Sequence, residues 1–347
     1  MSVKIVVLCG GLSPERNVSL SSGGRIALAL RSLGYRAALV DMYLGLEDMD
    51  GDLEAAFDAP LPDTSRAAES EPDLDAVRAG RRLKGGSLFG EGVLEICAAA
   101  DVVFLALHGQ CGEDGRVQAA FDLMGIRYTG SGYLASALAM DKSLTKALVS
   151  AQGVLTPEWR FYGRGEAVQP GSVPLPCVVK PVNSGSSIGV QVVRSSAELS
   201  ASVDRAQTLG DGVLIERFIR GREVQMSILG GRALPSIEIR SSAGFYDYRN
   251  KYHPGVAEEI TPADIPPETE ERLARAALTV YNTLGLKSLA RADFILDGED
   301  RLWFLEINTL PGMTPTSLAP QEAAAAGLSY EQLCQKIIDL ALEEDKT

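Results

Sequence analysis

The sequence predicts an α/β protein, with an open parallel sheet in its N-terminal part and an α+β arrangement in its C-terminal part. Apolar runs alternate with a helical pattern in the first 110 residues, and such alternation is typical of a parallel sheet covered on both faces. Residues 177–239 consist mostly of short strand-like runs, which indicates a different architecture. A chain of 347 residues is longer than one hydrophobic core usually serves, so we expect two or three subdomains.

The N-terminal elements are justified by their hydrophobic patterns. The predicted strands are Val3–Cys9, Ala37–Asp41 and Val102–Leu107, and a helical pattern with Ile26, Leu30 and Leu33 precedes Gly34 between the first two. The first strand ends at Gly10-Gly11 and the third at His108-Gly109. Ligands of open parallel sheets bind beyond the carboxyl ends of the strands. We therefore expect residues 10–16 and 108–114 to line a binding site.

The C-terminal elements follow a second pattern, in which short strands outnumber helices. The predicted strands are Cys177–Lys180, Val190–Arg194, Val213–Arg217, Arg222–Leu229, Ala233–Ile239 and a hairpin of Ser288–Asp297 with Arg301–Asn308. The predicted helices are Tyr133–Ala151, Glu268–Leu284 and a last helix opened by Ser329. Gly285 follows the second of these helices, as is usual at a helix C-terminus.

Charge and hydrophobicity restrict the binding partners and the cellular location that we expect for this protein. The net charge of −13 argues against nucleic acid as the main partner. Residues 47–75 hold eleven acidic residues and the single Arg66, and we interpret them as part of a solvated acidic insertion at about 42–90 without chemistry of its own. The apolar stretch at the N-terminus, Val3–Cys9, is short and contains Lys4, so we interpret it as a strand and not as a signal peptide. No apolar run approaches the length of a membrane span. We expect a soluble, cytoplasmic protein that does not bind membranes.

A glycine- and serine-rich loop follows a strand that ends in lysine. Residues Ser184–Gly189 read Ser-Gly-Ser-Ser-Ile-Gly and come directly after Val178–Pro181, which contains Lys180. Glycine lets backbone N–H groups approach an anion, serine adds donors and lysine adds a point charge. The loop is therefore a candidate phosphate cradle, although the pattern alone equally fits a flexible hairpin turn.

The predicted C-terminal hairpin places acidic side chains together. Successive strand residues point to opposite faces, so Asp293 shares a face with Arg291, and Glu306 shares one with Asn308. If the turn centres on residues 299–300, Asp293 lies opposite Glu306. Two carboxylates and an amide oxygen suit Mg²⁺ or Mn²⁺ with phosphate oxygens as further ligands. The alternative is a simple ion pair between Arg291 and the carboxylates on a solvated face.

The other face of this hairpin is apolar. Phe294 and Leu296 would face Trp303, Leu305 and Ile307 there. We expect these side chains to anchor the hairpin to a core, because a strand with one apolar face buries that face.

Eight motifs, in order along nearly the whole chain, carry a resemblance to the ATP-grasp ligases and, within them, to the D-alanine–D-alanine ligase family. They are Gly10-Gly11-x-Ser13-x-Glu15-Arg16-x-Val18-Ser19-Leu20, His108-Gly109-x-x-Gly112-Glu113-Asp114-Gly115, Tyr128-Thr129-Gly130-Ser131-Gly132, Met140-Asp141-Lys142, Lys180-Pro181 with Gly185-Ser186-Ser187-x-Gly189, Tyr246-Asp247-Tyr248-x-x-Lys251-Tyr252, Arg291-x-Asp293, and Glu306-x-Asn308-Thr309-x-Pro311-Gly312-Met313-Thr314.

The resemblance implies a fold and a reaction. It implies an N-terminal substrate-side domain at 1–132 and an ATP-grasp fold whose two subdomains, 133–240 and 241–347, grip ATP. The implied reaction joins two D-alanines into D-alanyl-D-alanine for peptidoglycan and cell wall synthesis, through a D-alanyl phosphate, and converts ATP to ADP and phosphate. It also implies two Mg²⁺ or Mn²⁺ ions, a homodimer, and a lid, for which the polar and aromatic segment Phe245–Val256 is the candidate.

The resemblance also implies roles for individual residues. The catalytic residues would be Glu15, Ser186, Tyr252, Arg291 and Gly312. The ATP-binding residues would be Lys142, Lys180, Ser186, Ser187, Glu216, Arg217, Phe218, Ile219, Glu223, Lys251 and Asn308. The substrate-binding residues would be Glu15, His108, Arg291, Gly312, Ser317 and Leu318. The metal ligands would be Asp293, Glu306 and Asn308.

Other functions remain open at the level of sequence. A D-alanine–D-lactate or D-alanine–D-serine ligase, or another ATP-grasp carboxylate–amine ligase, would carry much the same motifs. A dinucleotide-dependent oxidoreductase is disfavoured because Gly-x-Gly-x-x-Gly is missing after Val3–Cys9. A non-catalytic nucleotide-binding regulator would be expected to lack Arg291 or the carboxylates, and all are present.

Overall fold

A computed structural model describes residues 2–46, 52–64, 72–83, 85–110, 112–168, 171, 173–185, 188–241 and 257–343. Some sequence predictions lie outside these residues: those for Ser186, Ser187, Lys251 and Tyr252, and the lid at Phe245–Val256. None of the helices in the described part of the chain is long and apolar enough to cross a membrane.

The described elements alternate between strands and helices along the chain. The strands are β1 (Lys4–Cys9), β2 (Arg36–Asp41), β3 (Val102–Leu105), β4 (Trp159–Gly163), β5 (Cys177–Pro181), β6 (Gln191–Val193), β7 (Gly212–Arg217), β8 (Gly221–Leu229), β9 (Arg232–Ala233), β10 (Ile237–Ser241), β11 (Ala257–Ile260), β12 (Leu289–Asp297) and β13 (Leu302–Asn308). The helices are α1 (Arg16–Ser32), α2 (Leu74–Gly80), α3 (Val93–Ala99), α4 (Arg116–Met124), α5 (Tyr133–Met140), α6 (Lys142–Ala151), α7 (Ser196–Leu209), α8 (Pro267–Thr283), α9 (Leu318–Ala325) and α10 (Tyr330–Glu343), with a short 3₁₀ helix at Ala55–Phe57.

The chain divides into two compact units. The first unit consists of residues 1–136, 286–290 and 309–347, and the second consists of 137–285 and 291–308. The three-part division predicted at 1–132, 133–240 and 241–347 stays a prediction.

The first unit contains the predicted parallel sheet. Its strand order is β2-β1-β3, and both neighbours of β1 run parallel to it. Every strand residue from Ile5 to Cys9 is at most 1% exposed, as expected for a strand covered on both faces. Helices α1 and α10 pack against each other in this unit. β3 ends at Leu105, two residues earlier than predicted, and Leu33 is the C-cap residue of α1, directly before Gly34.

The acidic insertion is only partly solvated, and the prediction of a solvated segment is wrong for its apolar residues. Ala56 and Phe57 are buried in the core of the first unit, with Phe57 0% exposed. The guanidinium of Arg81 is also buried: it donates to the carbonyls of Ser87 (2.5 Å) and Phe89 (2.6 Å) and lies 4.3 Å from the ring centroid of Tyr43. Buried apolar side chains therefore tie parts of this acidic segment to the core of the first unit.

The predicted helix Tyr133–Ala151 is two helices, α5 and α6. Asp141 separates them, because its carboxylate caps α6 and accepts from the N–H groups of Ser143 and Leu144, both at 2.9 Å. An aspartate at an N-cap favours a helix start over a helix interior. As a result Lys142 becomes the first residue of α6.

The second unit contains two antiparallel assemblies. One sheet has the order β4-β7-β5-β6, with α7 packed on it. The other has the order β11-β10-β8-β12-β13, with β9 paired to β8 and α8 packed against β8. β4 and β11 have no counterparts among the predicted strands, and the predicted strand Ala233–Ile239 is divided between β9 and β10.

The hairpin of β12 and β13 has the predicted register, with a bulge that sequence did not predict. Asp293 pairs with Glu306, but Phe294 pairs with Phe304, so the register shifts by one residue and Leu305 is the extra one. Phe294 and Phe304 are both 0% exposed and meet edge to face, with ring centroids 5.5 Å apart. The prediction that Leu305 anchors the hairpin is therefore wrong, since Phe304 takes that place.

Candidate active site

A cavity of about 790 Å³ lies within the second unit. Elements α6, β5, β7, β8, β10, β12 and β13 all contribute to its wall. Its lining residues include the following charged groups: Lys142, Lys180, Arg194, Glu216, Arg217, Arg220, Arg222, Glu223, Glu238, Arg240, Asp293 and Glu306. Seven of these are basic and five acidic, although the whole chain carries −13. A local excess of positive charge favours an anionic ligand.

Lys142 joins the candidate phosphate loop to the carboxylate hairpin. Its ammonium donates to the carbonyl of Ser184 at 2.6 Å and lies 3.2 Å from a carboxylate oxygen of Glu306. The side chain is 7% exposed, so its charge acts with little screening by water. The start of α6 therefore presents a cation between the loop and the acidic pair.

The loop after β5 closes on itself at the residues that can be described. The Ser184 hydroxyl donates to the carbonyl of Ile188 at 3.0 Å, and the Ile188 N–H donates to the carbonyl of Gly185 at 3.1 Å. Gly189 has φ +76°, and a Cβ there would lie 2.6 Å from a methyl group of Leu209. The loop thus needs glycine at its end for both conformation and space.

Lys180 does not stand alone at the end of β5. Its ammonium donates to Glu216 at 2.6 Å, and the other carboxylate oxygen of Glu216 lies 3.0 Å from the ammonium of Lys146. All three side chains are buried, and Lys146 is 0% exposed. Burial by itself would raise the pKa of Glu216, but the charges of Lys146 and Lys180 outweigh burial and hold that pKa below its usual value.

Lys146 is a charged residue that the sequence analysis missed. It lies one helical turn after Lys142 on α6, and this i, i+4 spacing was the available signal. Its ammonium also donates to the hydroxyl of Thr156 at 2.8 Å and to the carbonyl of Phe304 at 3.2 Å. Burial lowers the pKa of Lys146 to about 8, against the opposing effect of Glu216.

The cavity also has an apolar wall, formed by Val178, Val190, Phe218, Ile219, Ile239, Ile295 and Leu305. Leu305 reaches this wall because of the bulge in β13. The guanidinium carbon of Arg194 lies 5.9 Å from the ring centroid of Phe218. A slot with apolar sides and a few polar groups at its edge is typical of a site for a flat heterocycle.

The structure describes eight of the predicted ATP-binding residues, all in the second unit. Seven of them line this cavity, and Asn308 is the exception. Glu216, Arg217, Phe218 and Ile219 form one stretch of the wall, and Glu223 follows on β8. A second buried carboxylate in the wall is that of Glu238. Arg222 donates to both of its oxygens at 2.6 Å, and Arg240 donates to one of them at 2.9 Å. This arginine–glutamate cluster was not predicted from the sequence.

The carboxylate hairpin forms another part of the wall. Asp293 and Glu306 line the cavity directly opposite each other, and Arg291 is opposite Asn308. Arg291 donates to both oxygens of Asp293, at 2.8 and 3.0 Å, so the ion pair considered as an alternative is present. This bidentate contact orients the Asp293 carboxylate, which is 3% exposed.

The donor set of this hairpin fits a magnesium or manganese ion. It offers two carboxylates and one amide, all oxygen donors, on adjacent strands at the edge of a positively charged cavity. In the described residues no group of three or more histidine, cysteine, aspartate or glutamate side chains could hold a metal. The predicted set includes Asn308 as its third member, so that finding does not bear on it.

Glu15 lies beside the backbone that follows His108 in the first unit. The Glu15 carboxylate lies against Gly109, where a Cβ would be 2.7 Å from its Oε2 atom. The Ser13 hydroxyl donates to the carbonyl of His108 at 2.8 Å, and the His108 ring contacts the carbonyl of Leu310 through Nδ1 at 3.0 Å. Since a carbonyl can only accept, Nδ1 carries the hydrogen. The segments that follow β1 and β3 are therefore in contact, with Glu15 on one and His108 on the other.

Gly312, Ser317 and Leu318 are also close to one another in the first unit. Ser317 is the N-cap residue of α9 and Leu318 its first residue. The Ser317 hydroxyl accepts from the N–H of Thr314 at 3.1 Å, and a Cβ at position 312 would lie 2.8 Å from that hydroxyl. The start of α9 and the Gly312 backbone therefore form one small polar surface, with N–H groups suited to a carboxylate.

Comparison with known proteins identifies the family. The model for the D-ala D-ala ligase N-terminus matches residues 4–131, and the model for the D-ala D-ala ligase C-terminus matches residues 153–339. This chain belongs to the D-alanine–D-alanine ligase family. The predicted family, the α/β fold class with its ATP-grasp part, and the ATP-dependent ligase activity that supplies D-alanyl-D-alanine for peptidoglycan synthesis are thereby confirmed at the level of the family.

Individual relatives agree with this family over nearly their whole length. The chain is 43% identical to the D-alanine–D-alanine ligase of Pediococcus pentosaceus over 343 residues, 97% of each chain. It is 38% identical to the D-alanine–D-alanine ligase of Lacticaseibacillus casei, over 97% of this chain and 95% of that one. The solved structure of the D-alanine–D-alanine ligase from Bacillus anthracis, complexed with ATP, matches with a TM-score of 0.77 and 28% identity, over 99% of both chains.

Proposed function

We propose that this chain carries out the family's reaction through a D-alanyl phosphate, with the triphosphate of ATP in the cavity of the second unit. The observation that carries the proposal is the composition of that cavity wall: Lys142 and Lys180 face it together with the opposed carboxylates Asp293 and Glu306. Phosphoryl transfer uses cations around the phosphates and oxygen ligands that hold metal ions beside them, and carboxylates supply such ligands. The ATP complex of the Bacillus anthracis relative supports the assignment of the nucleotide.

The nucleotide would lie along the cavity with its base on the apolar wall. Phe218, Ile219 and Leu305 offer flat or branched apolar contacts, and Glu223 would accept from the ribose hydroxyls. The phosphates would then reach Lys142, Lys180 and the loop Ser184–Gly189. Seven basic side chains in the wall supply the counter-charge.

Asp293, Glu306 and Asn308 would hold two divalent cations, Mg²⁺ or Mn²⁺. Bound there, the ions would neutralise the phosphate charge that otherwise repels an incoming carboxylate. Arg291 keeps one ligand of the set, Asp293, in a fixed orientation, and Lys142 does the same for Glu306 at 3.2 Å.

In the first half-reaction a carboxylate oxygen of the first D-alanine attacks the γ-phosphorus of ATP, and ADP leaves. Glu15 would hold the ammonium group of this D-alanine, because a buried carboxylate is the natural partner of an ammonium group. Arg291 suits the planar charged groups of the intermediate better than lysine would, since its guanidinium donates in a fixed fork.

In the second half-reaction the amine of the second D-alanine attacks the acyl carbon, loses a proton, and inorganic phosphate leaves. Arg291 and the Gly312 N–H would stabilise the oxyanion that forms. Ser317 and the start of α9 would bind the carboxylate of the second D-alanine. His108, whose Nδ1–H donates to the carbonyl of Leu310, would lie beside the substrates. Holding the amine and the acyl phosphate together lowers the activation free energy of this step by roughly 7–11 kcal/mol.

D-Alanine as the second substrate, a homodimer and a cytoplasmic location complete the proposal. Their support is the family to which the chain belongs, whose relatives are named for joining D-alanine to D-alanine.

The acyl phosphate is tested by isotope transfer. D-Alanine labelled with ¹⁸O in both carboxylate oxygens is incubated with ATP, Mg²⁺ and the protein, and the inorganic phosphate is analysed by mass. The proposal predicts one ¹⁸O atom per phosphate released, because the oxygen that attacks phosphorus stays with it. Unlabelled phosphate formed together with dipeptide would contradict the D-alanyl phosphate.

A further inference from the structure

Lys146 is a buried charge that the proposed reaction does not use. It is 0% exposed and does not belong to the cavity wall. Isolated buried ammonium groups are strongly disfavoured, so a buried lysine needs partners that compensate its desolvation. Lys146 has them in the Glu216 carboxylate at 3.0 Å, the Thr156 hydroxyl at 2.8 Å and the Phe304 carbonyl at 3.2 Å.

Glu216 is shared between this lysine and one that faces the cavity. One carboxylate oxygen accepts from Lys180 at 2.6 Å, and the other lies 3.0 Å from Lys146. The order Lys146–Glu216–Lys180 therefore runs from the interior to the cavity wall. The three side chains are 0%, 3% and 6% exposed, so water screens their mutual interaction little.

The net charge of Lys146, Glu216 and Lys180 together determines how strongly this part of the wall attracts an anionic ligand. A pair of Glu216 and Lys180 alone would be neutral, and a phosphate approaching Lys180 would meet the carboxylate behind it. With Lys146 on the far side of Glu216, the three groups carry one net positive charge. Burial lowers the pKa of Lys146 to about 8, so the charge is present at neutral pH.

We propose that Lys146 is a positioning residue for the nucleotide phosphates: it neutralises Glu216 from the interior and so leaves the charge and direction of Lys180 available to them. The inference rests on the proposed nucleotide site. Lys146 itself touches no ligand in this arrangement. Its effect passes through the Glu216 carboxylate, which holds a lysine on either side.

The first test compares ATP with adenosine, which has the same base and sugar but no phosphate. Dissociation constants are measured by calorimetry for the wild-type protein and for Lys146→Met, which keeps the length of the side chain and removes its charge. We expect ATP to bind about tenfold more weakly to the variant, equivalent to the loss of part of one buried charge interaction. Adenosine affinity should change by less than about twofold. Equal losses for both ligands would overturn the inference and make Lys146 a structural residue.

The second test asks whether the effect passes through Glu216. Lys146→Met is repeated in a Glu216→Gln background, where there is no carboxylate charge to neutralise. The ATP dissociation constant should then change by less than about twofold, so the two substitutions are strongly coupled. The same tenfold loss in both backgrounds would contradict the proposed path.

A matched control separates the effect at this site from a general loss of charge. Lys336→Met removes one exposed positive charge outside the cavity wall. It should leave the ratio of ATP to adenosine affinity unchanged, and a similar shift of that ratio in this control would overturn the inference. If Lys146→Met does not fold, Lys146→Gln provides the same comparison with a neutral donor. Failure of the wild-type protein to bind ATP at all would instead overturn the proposed function.

Discussion

Asp293 and Glu306 are direct cross-strand partners on β12 and β13, and both face the cavity. A bulge begins immediately after this pair, where Phe294 pairs with Phe304. Bulges often re-aim side chains next to functional sites. Here the bulge keeps two phenylalanines in the core while the carboxylates remain on the cavity side.

The first prediction concerns divalent cations. Glu306→Gln should raise the Mg²⁺ concentration that gives half-maximal activity by about tenfold or more, because a neutral amide is a much weaker ligand for a hard cation. Chelation of divalent ions should abolish activity in the wild-type protein. Glu299→Gln, at the exposed turn of the same hairpin, is the matched control and should behave like the wild type. An unchanged Mg²⁺ requirement in Glu306→Gln would remove this carboxylate from the metal site.

The second prediction separates chemistry from binding at Arg291. Arg291→Ala should lower kcat by about 10²–10³, the usual cost of losing an oxyanion donor, while the ATP dissociation constant changes by less than about threefold. Steady-state kinetics and direct nucleotide titration give the two quantities. Parallel losses in turnover and ATP affinity would argue that Arg291 acts by holding Asp293 instead.

The third prediction concerns Lys180. Lys180→Ala removes the cation at the end of β5 and leaves Glu216 with Lys146 alone. We expect the ATP dissociation constant to rise at least about tenfold, since a charged contact to phosphate in a poorly hydrated site is lost. The measurement is nucleotide titration by calorimetry. An unaltered affinity would show that Lys180 does not contact the phosphates.

The fourth prediction concerns stability and the acidic insertion. Phe57→Ala should lower the free energy of unfolding by about 3–5 kcal/mol, because the ring is fully buried in the core of the first unit. Leu123→Ala is the control, since Leu123 is 91% exposed and its loss should change stability by no more than about 0.5 kcal/mol. Urea unfolding of both variants tests this, and similar small changes would mean that the insertion is dispensable for the core.

The sequence predicted those features that depend on strict periodicity. The pairing of Asp293 with Glu306 follows from alternation along two strands and a short turn, and the parallel strand β1 follows from its apolar run. The family followed from motifs spread along the chain. In each case the local pattern and the tertiary structure agree.

Other features depend on packing that periodicity does not encode. The bulge at Leu305 changes which side chain reaches the core, and the alternation of residues along β13 does not predict it. Asp141 divides a continuous helical pattern because capping competes with helix continuation. The burial of Lys146 is compensated by Glu216 and Phe304, which come from distant positions in the chain. Phe57 is buried although it lies in a segment rich in acidic residues.

The most direct test of the account is the identity of the product. The protein is incubated with ATP, Mg²⁺ and D-alanine, alone or with D-lactate or D-serine, and the products are identified by mass. We predict D-alanyl-D-alanine as the main product in every mixture, with one ADP and one phosphate for each dipeptide. ATP consumption that depends on L-alanine but not on D-alanine, or a main product containing D-lactate or D-serine, would contradict the account.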